Sequence, residues 1–408
     1  MSTWDLHYGF GRHFLCDVDP GRVVASHRAP APLADPRSSI AAALAQPVEY
    51  PPLDQCVIPD DRIVLVLERH TPCAPELIAE IWAALDRRGV QPANVTILQP
   101  GDFRGHSPRD PRTALPDSVR AEIQWIVHDP TISADCSYLA ATASGERVYL
   151  SRRVTDADAV ISVGPLGFDP ILGYRGTHSV FYPGLSDVDA IRKAQGQGHD
   201  ELTPDDPRPL RQIVEEVAWL LGAQMTIQVI PAAGDGIAEV IAGQADAVLE
   251  RGKKRLNKLW RMDVRERPEL VIAAVDADAS GHTWAQLATA LDAARRVVAR
   301  DGRVLMLTEL EEAPTEGIKL IAECRSPRDA LQPLRTAAPP DLISATQIAQ
   351  AIDWTNVYLL SRLDPQLVED LCMIPLASED EAQRLISGDE PCAILGGAQH
   401  TSIRLRTQ

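Results

Sequence analysis

Apolar positions along the chain fall into short β-branched runs, separated by longer stretches in which apolar residues recur every three or four positions. In "DRIVLVLERHTPCAPELIAEIWAALDRRGV", Arg62 to Leu67 reads as a strand. Leu77, Ile78, Ile81, Trp82 and Leu85 then share one helical face, and Gly89 supplies the stop. "NVTILQ" (94–99) completes a strand–helix–strand unit whose strands should be parallel and whose crossover should be right-handed. Further strand-like runs are "EIQWIV" (122–127), "DAVISV" (158–163) and "MTIQVI" (225–230). From about residue 263 the pattern restarts: "ELVIAAV" (269–275), the helix "WAQLATALDAARRVVAR" (284–300), "RVLMLT" (303–308), "NVYLLS" (356–361) and "CAILGG" (392–397). This alternation predicts an α/β protein with mostly parallel sheets. In such sheets the loops after the strands line the ligand crevice, so the loops starting at Glu68, Gln99, Gly164 and Pro231 should converge.

At 408 residues the chain exceeds the usual size of one hydrophobic core, and two domains are expected. The restart places the larger over residues 1–262, with the final strand (393–408) a candidate to return to it, and the smaller over 263–392. Residues 17–60 read as a Pro-rich, irregular opening. No fixed-period repeat or low-complexity tract interrupts the pattern.

A formal net charge of −17 works against attraction to phosphate backbones and anionic lipid, so neither nucleic acid nor membrane is an expected partner. The one basic cluster, "ERGKKRLNKLWR" (250–261), falls in a helical pattern and reads as a solvated face. No apolar run approaches the ~20 residues of a membrane span. The opening "MSTWDLHYGFGRHF" lacks the pattern of a secretory signal, which makes the cytosol the expected location. Seven scattered cysteines without a C-x-x-C pair argue against a disulfide framework and a structural zinc site.

Four segments could carry chemistry. "LERHTP" (67–72) puts His70 and Thr71 before a helix, where they suit a phosphate or carboxylate; Thr71 equally suits plain N-capping, the reading we rank first. "QPGDFRGHSPRD" (99–110) offers Arg104, His106 and Arg109 in a loop after a strand. "GYRGTHSVFYPGLSD" (173–187), followed by "QGQGHD" (195–200), combines Gly173, Gly176 and Gly184 with the polar tips of Arg175, His178, Tyr174, Tyr182 and His199; it is either a ligand loop or a surface loop held by its own aromatics. "DASGHTWAQLATAL" places His282, Thr283 and Gln286 at the opening of the second long helix, for ligand contact or for capping. No strand-linked G-x-G-x-x-G, P-loop, G-x-S-x-G or H-E-x-x-H motif occurs.

In order and spacing, five pieces resemble the nickel-pincer lactate racemase family. They are the "DRIVLVLERHTP" unit with the helix after it, "VTILQPGDFRG", "DADAVISVGPLGFDPILGYRGTHSVFYPGLSD", "WAQLATALDAARRVVARDGRVLMLTE" and "NVYLLSRLDPQLVEDL". The resemblance implies two α/β domains with a cleft between them, and a racemase or epimerase of 2-hydroxy acids. It also implies a pyridinium-derived nickel-pincer nucleotide, tethered to a lysine through a thioamide, with a histidine completing the nickel coordination. Hydride would pass to that cofactor and back while histidines handle the hydroxyl proton.

Carried over by position, the tether lysine falls at Ser179, and no lysine lies between Val154 and Arg192. The nickel-ligand position falls near Gln195, four residues from His199. The two catalytic histidine positions fall near Arg104 and Ile171, beside His106 and His178. His70 and Thr71 keep part of the family's first signature, flanked by Arg69 and Pro72 where it has an acidic residue and an arginine. Gln286 matches the substrate-side glutamine, while Thr289 replaces its lysine partner. On this resemblance, Arg104, His106, His178 and Gln286 are the catalytic candidates. His70, Thr71, Arg175, Gly176, Ser179 and Gly184 are the cofactor-cradle candidates, and His199 is the metal candidate. The rival reading is a noncatalytic protein binding a small anionic, hydroxy-acid or nucleotide-like ligand in the same place. A third is another nickel or zinc activity built from His106, His178 and His199.

Overall fold

A computed structural model describes residues 2–101, 108–195, 202–223 and 225–406. The chain opens with three strands, β1 (Ser2–Tyr8), β2 (Arg12–Val18) and β3 (Val23–His27). It then divides into two compact units, Ala31–Leu256 and a discontinuous one made of Met1–Pro30 and Asn257–Gln408.

The Ala31–Leu256 unit contains β4 (Ile63–Leu67), β5 (Val95–Gln99), β6 (Gln124–Val127), β7 (Cys136–Ala141), β8 (Arg147–Ser151), β9 (Ala159–Pro165), β10 (Gly167–Asp169), β11 (Gly173–Arg175), β12 (Met225–Pro231) and β13 (Ile237–Gln244). Six of them form one sheet in the order β13-β12-β9-β4-β5-β6, parallel throughout except for the edge strand β13. Every residue of β4 is buried, because a parallel sheet is covered on both faces. The helix Ala74–Arg88 lays Leu77, Ile78, Ile81, Trp82 and Leu85 on one face, as its periodicity predicts, together with Ile40 and Leu44 of the helix Pro36–Ala45. On the other face lie Val214, Val217 and Ala218 of the helix Pro209–Leu221, with Val180, Phe181, Tyr182 and Leu185 of the glycine-rich segment.

The discontinuous unit adds β14 (Arg261–Val264), β15 (Leu270–Ala274), β16 (Arg303–Leu307), β17 (Asn356–Leu360), β18 (Ile374–Leu376), β19 (Cys392–Gly396) and β20 (Ser402–Leu405). Its main sheet is all parallel, in the order β18-β17-β16-β15-β19-β3. The helices Trp284–Val297 and Leu342–Trp354 cover one face. The β1–β2 hairpin covers the other, burying Leu6, Tyr8, Phe14, Cys16 and Val18 against Ile272, Leu305 and Ile394.

Three expectations change. The opening 17–60 is not irregular, since it contributes β3 and the helix Pro36–Ala45. The unit boundary falls between Leu256 and Asn257 rather than at 262/263, and residues 1–30 lie in the second unit. The final strands stay in that unit too: β19 pairs with β15 and β3, and β20 with β14, so the hydrogen-bonding edges that 393–408 needs are there. Among the described residues no helix is long and apolar enough to cross a membrane.

Candidate functional site

In the first sheet, β4, β5 and β6 succeed one another in one direction, and β9, β12 and β13 in the other. The carboxyl ends of β4 and β9 therefore flank a topological switch point, where an open sheet leaves a crevice. The expected loops do meet there. The Glu68 amide donates to the Val163 carbonyl at 2.8 Å, and the Leu166 amide to that of Val229 at 2.8 Å. Arg69 Nη1 donates to the Pro100 carbonyl at 3.4 Å. Cys73 Sγ reaches the Asp235 carbonyl at 3.5 Å, in the turn after β12.

Across this edge runs the glycine-rich segment. Asp169 closes the β10–β11 turn by accepting the Ile171 and Leu172 amides, each at 2.8 Å. Gly176 has φ +115° and is so closely packed that a Cβ would stand 2.5 Å from Leu166 Cδ2, just after β9, and 2.9 Å from Gln228 Oε1 of β12. Thr177 to Val180 make one 3₁₀ turn, within which Ser179 Oγ accepts the Gly176 amide at 2.8 Å. Val180, Phe181, Tyr182 and Leu185 then anchor the segment in the core, and the Tyr182–Pro183 peptide is cis. The segment's own aromatics hold it, as the surface-loop reading expects.

Two charged groups meet beside it. His178 Nδ1 lies 2.5 Å from Glu215 Oε2, and Glu215 also pairs with Arg211. Arg211 donates to the carbonyls of Tyr174 and Gly176, each at 3.3 Å, and to Thr177 Oγ1 at 3.0 Å. Burial pushes the Glu215 carboxyl up, but the His178 hydrogen bond and the Arg211 charge outweigh it and hold it below its ordinary range. Glu68 forms the second group, with Oε1 3.9 Å from Arg175 Nη1. Here burial wins: the Glu68 carboxyl is pushed up to about 7, with Arg175 pulling against it and Asp169 adding to it. Beneath, Ser162 Oγ and Gln228 Nε2 both donate to Thr226 Oγ1 at 2.7 Å. His178 Nε2, Arg175 Nε and Gln228 Oε1 are buried and find no hydrogen-bond partner among the described residues. Buried polar atoms left unmet are places where a ligand's polar groups gain most.

Behind the segment a cleft of about 240 Å³ is lined by Tyr174, Asp205, Arg208, Arg211 and Lys253 among others. Lys253 sits 5.0 Å above the Tyr174 ring, and burial, with Arg211 adding to it, holds its ammonium below the usual lysine range.

Of the sequence candidates, His70, Thr71, Arg175, Gly176, His178, Ser179 and Gly184 all lie in the Ala31–Leu256 unit; Gly184 packs on Pro100. Arg104, His106 and His199 lie outside the described residues. Gln286 is in the other unit, where its Oε1 accepts the Thr283 amide at 2.9 Å. Thr71 does not cap the helix as expected. That helix starts at Ala74 behind a left-handed Cys73, and Thr71 Oγ1 donates to the Glu68 carbonyl at 2.6 Å instead. His282 does not cap its helix either: its Nε2 accepts the Glu309 amide at 2.8 Å, which puts a neutral ring's proton on Nδ1. Glu68, Arg211 and Glu215 were not among the sequence candidates. Arg211 and Glu215 stand one turn apart, a spacing that reads as a surface ion pair until the helix is packed.

A lysine-tethered pincer needs an amine at the tether position. Ser179 supplies a hydroxyl, already engaged with the Gly176 amide, and an alcohol does not form the thioamide. If the tether position falls at Ser179, as the sequence resemblance implies, the covalently attached group does not fit there.

Comparison with known proteins bears on the whole fold. Residues 8–200 match the family model of the lactate racemase N-terminal domain. The lactate racemase apoprotein from Thermoanaerobacterium thermosaccharolyticum is similar over 99% of this chain and 100% of its own, with 16% identity and a TM-score of 0.82. A Thermotoga maritima protein solved by structural genomics is similar over 93% of this chain and 100% of its own, with 11% identity and a TM-score of 0.68. No curated protein matches in sequence.

Proposed function

We propose that this chain, whose residues 8–200 match the family model of the lactate racemase N-terminal domain, holds a small anion reversibly beside its glycine-rich segment, without a tethered cofactor. The ligand class is a 2-hydroxy acid or a nucleotide-like anion. The observation that carries the reading is the Ser179–Gly176 hydrogen bond: at the tether position stands a side chain that shapes the loop and offers no amine. Arg175 supplies the positive charge. Its guanidinium is a loose 3.9 Å from Glu68, whose carboxyl is partly protonated near neutral pH and so leaves Arg175 available to an incoming carboxylate.

A second reading, a racemase or epimerase of 2-hydroxy acids, draws on His178. Glu215 fixes the imidazole through Nδ1, and the opposite nitrogen is buried and unmet, the arrangement of a histidine ready to exchange a hydroxyl proton. In this reading any hydride acceptor would have to be a separate, noncovalently bound molecule.

Three measurements test these readings. Protein made in a host that synthesises the pincer nucleotide should show the unmodified intact mass; an added covalent mass would sink the untethered reading. Calorimetric titration with D-lactate, L-lactate and a pyridine mononucleotide should give saturable binding to at least one, weakened by Arg175→Ala. No binding to any of them counts against the crevice as an anion site. Chiral chromatography after incubation with each lactate enantiomer separates binding from racemisation.

A further inference from the structure

The β1–β2 hairpin carries a second cluster, separate from the crevice. Its alternation is strict: Leu6, Tyr8, Phe14, Cys16 and Val18 point into the core, while Asp5, His7 and His13 point to solvent. His7 and His13 are directly opposed in the register, and Asp5 lies two residues before His7 on the same face. The two imidazoles are 4.1 Å apart at 52°. His13 Nδ1 lies 3.0 Å from Asp5 Oδ1, and His7 Nε2 lies 3.7 Å from Asp5 Oδ2. One donor atom from each of the three residues lies within 4.8 Å of the others.

We propose that Asp5, His7 and His13 form a binding site for one divalent transition-metal ion, zinc, copper or nickel. Tetrahedral ligands at zinc distances stand about 3.3 Å apart, so small rotations about the side-chain bonds of the existing cluster close the site. Two neutral imidazoles and one carboxylate suit the borderline metals and not magnesium or calcium, which prefer all-oxygen shells. The frame is preorganised, because the inward residues of both strands are buried and the pairing fixes the distance between them. The three side chains remain about half exposed, which leaves the other coordination positions to water. The ion should therefore exchange with solution.

The test uses the full chain without an affinity tag. Calorimetric titration with zinc sulfate should give one equivalent bound, and magnesium chloride no heat of binding at this site. His7→Ala and His13→Ala should each weaken zinc by about tenfold or more. Because both residues point outward, the urea midpoint should stay unchanged. In the unaltered protein, zinc should also protect His7 and His13 from acylation by diethyl pyrocarbonate, read by peptide mass mapping. Absence of saturable zinc binding, unchanged affinity in the double variant, or unprotected His7 and His13 at saturating zinc would each overturn the assignment.

Discussion

Glu215, midway along the helix Pro209–Leu221, holds His178 of the glycine-rich segment at 2.5 Å, carboxylate oxygen to imidazole Nδ1. The same carboxylate pairs with Arg211, which in turn binds the carbonyls of Tyr174 and Gly176. One helix thus fixes both the backbone and the histidine of the glycine-rich segment.

Removing the charge at that junction should be costly. Glu215→Gln leaves the buried Arg211 without its counter-charge, and we expect a loss of about 1.5–3 kcal/mol in urea unfolding. The pH dependence follows from a folded-state value below the ordinary 4.5. Glu215 stabilises the fold at pH above that value, and its contribution disappears as pH falls through the depressed one. The acid limb of the stability curve should accordingly be shallower in Glu215→Gln, and an unchanged limb would contradict the pairing.

Glu68 should act in the opposite sense. Its carboxyl is raised from 4.5 to about 7, so between those values the unfolded chain is ionised and the folded one is not. Stability from this residue is complete below pH 4.5 and declines as pH rises through 7, by at most about 3 kcal/mol. Glu68→Gln should flatten the difference in urea midpoint between pH 5 and pH 8. If the variant keeps the full difference, another group is responsible.

Two glycines separate backbone strain from crowding. Gly11, in the hairpin turn, has φ +92° and open space around a Cβ, so Gly11→Ala should cost about 1 kcal/mol. Gly176 adds a collision with Leu166 and Gln228 to a φ of +115°, and Gly176→Ala should cost about 2–4 kcal/mol. Equal midpoint shifts would mean that the loop yields more easily than its packing indicates.

Ser179→Ala should lose about 1–3 kcal/mol by leaving the buried Gly176 amide without its acceptor, whereas Ser179→Thr keeps the oxygen and should stay close to the parent. Thermal unfolding of the pair distinguishes a capping serine from a passive one.

The parallel core was readable because strands buried on both faces need uninterrupted apolar runs, and Ile63–Leu67 and Leu270–Ala274 are such runs. The convergence of the loops after β4, β5, β9 and β12 followed from the same logic. Less was legible where the deciding contact is distant in sequence. Val23–His27 is too polar at its end to declare a sheet strand until Cys392–Gly396 pairs with it. Glu68 reads as the first polar residue after a strand, and only the packing of Gly164 and Arg175 around it reveals the raised carboxyl. Arg211 and Glu215 look like a solvated helical pair until the glycine-rich segment folds over them.

The pairing of Val23–His27 with Cys392–Gly396 also orders events during synthesis. Residues 31–256 are contiguous and can collapse as they leave the ribosome. The other unit must hold its opening strands unpartnered on the main sheet until nearly 400 residues have been made, since β3 finds its only neighbour among the described strands in β19. Nascent chains halted before residue 392 should therefore present a protease-resistant middle flanked by a vulnerable beginning, a window in which a chaperone would find the outward edge of the first hairpin and its apolar underside together.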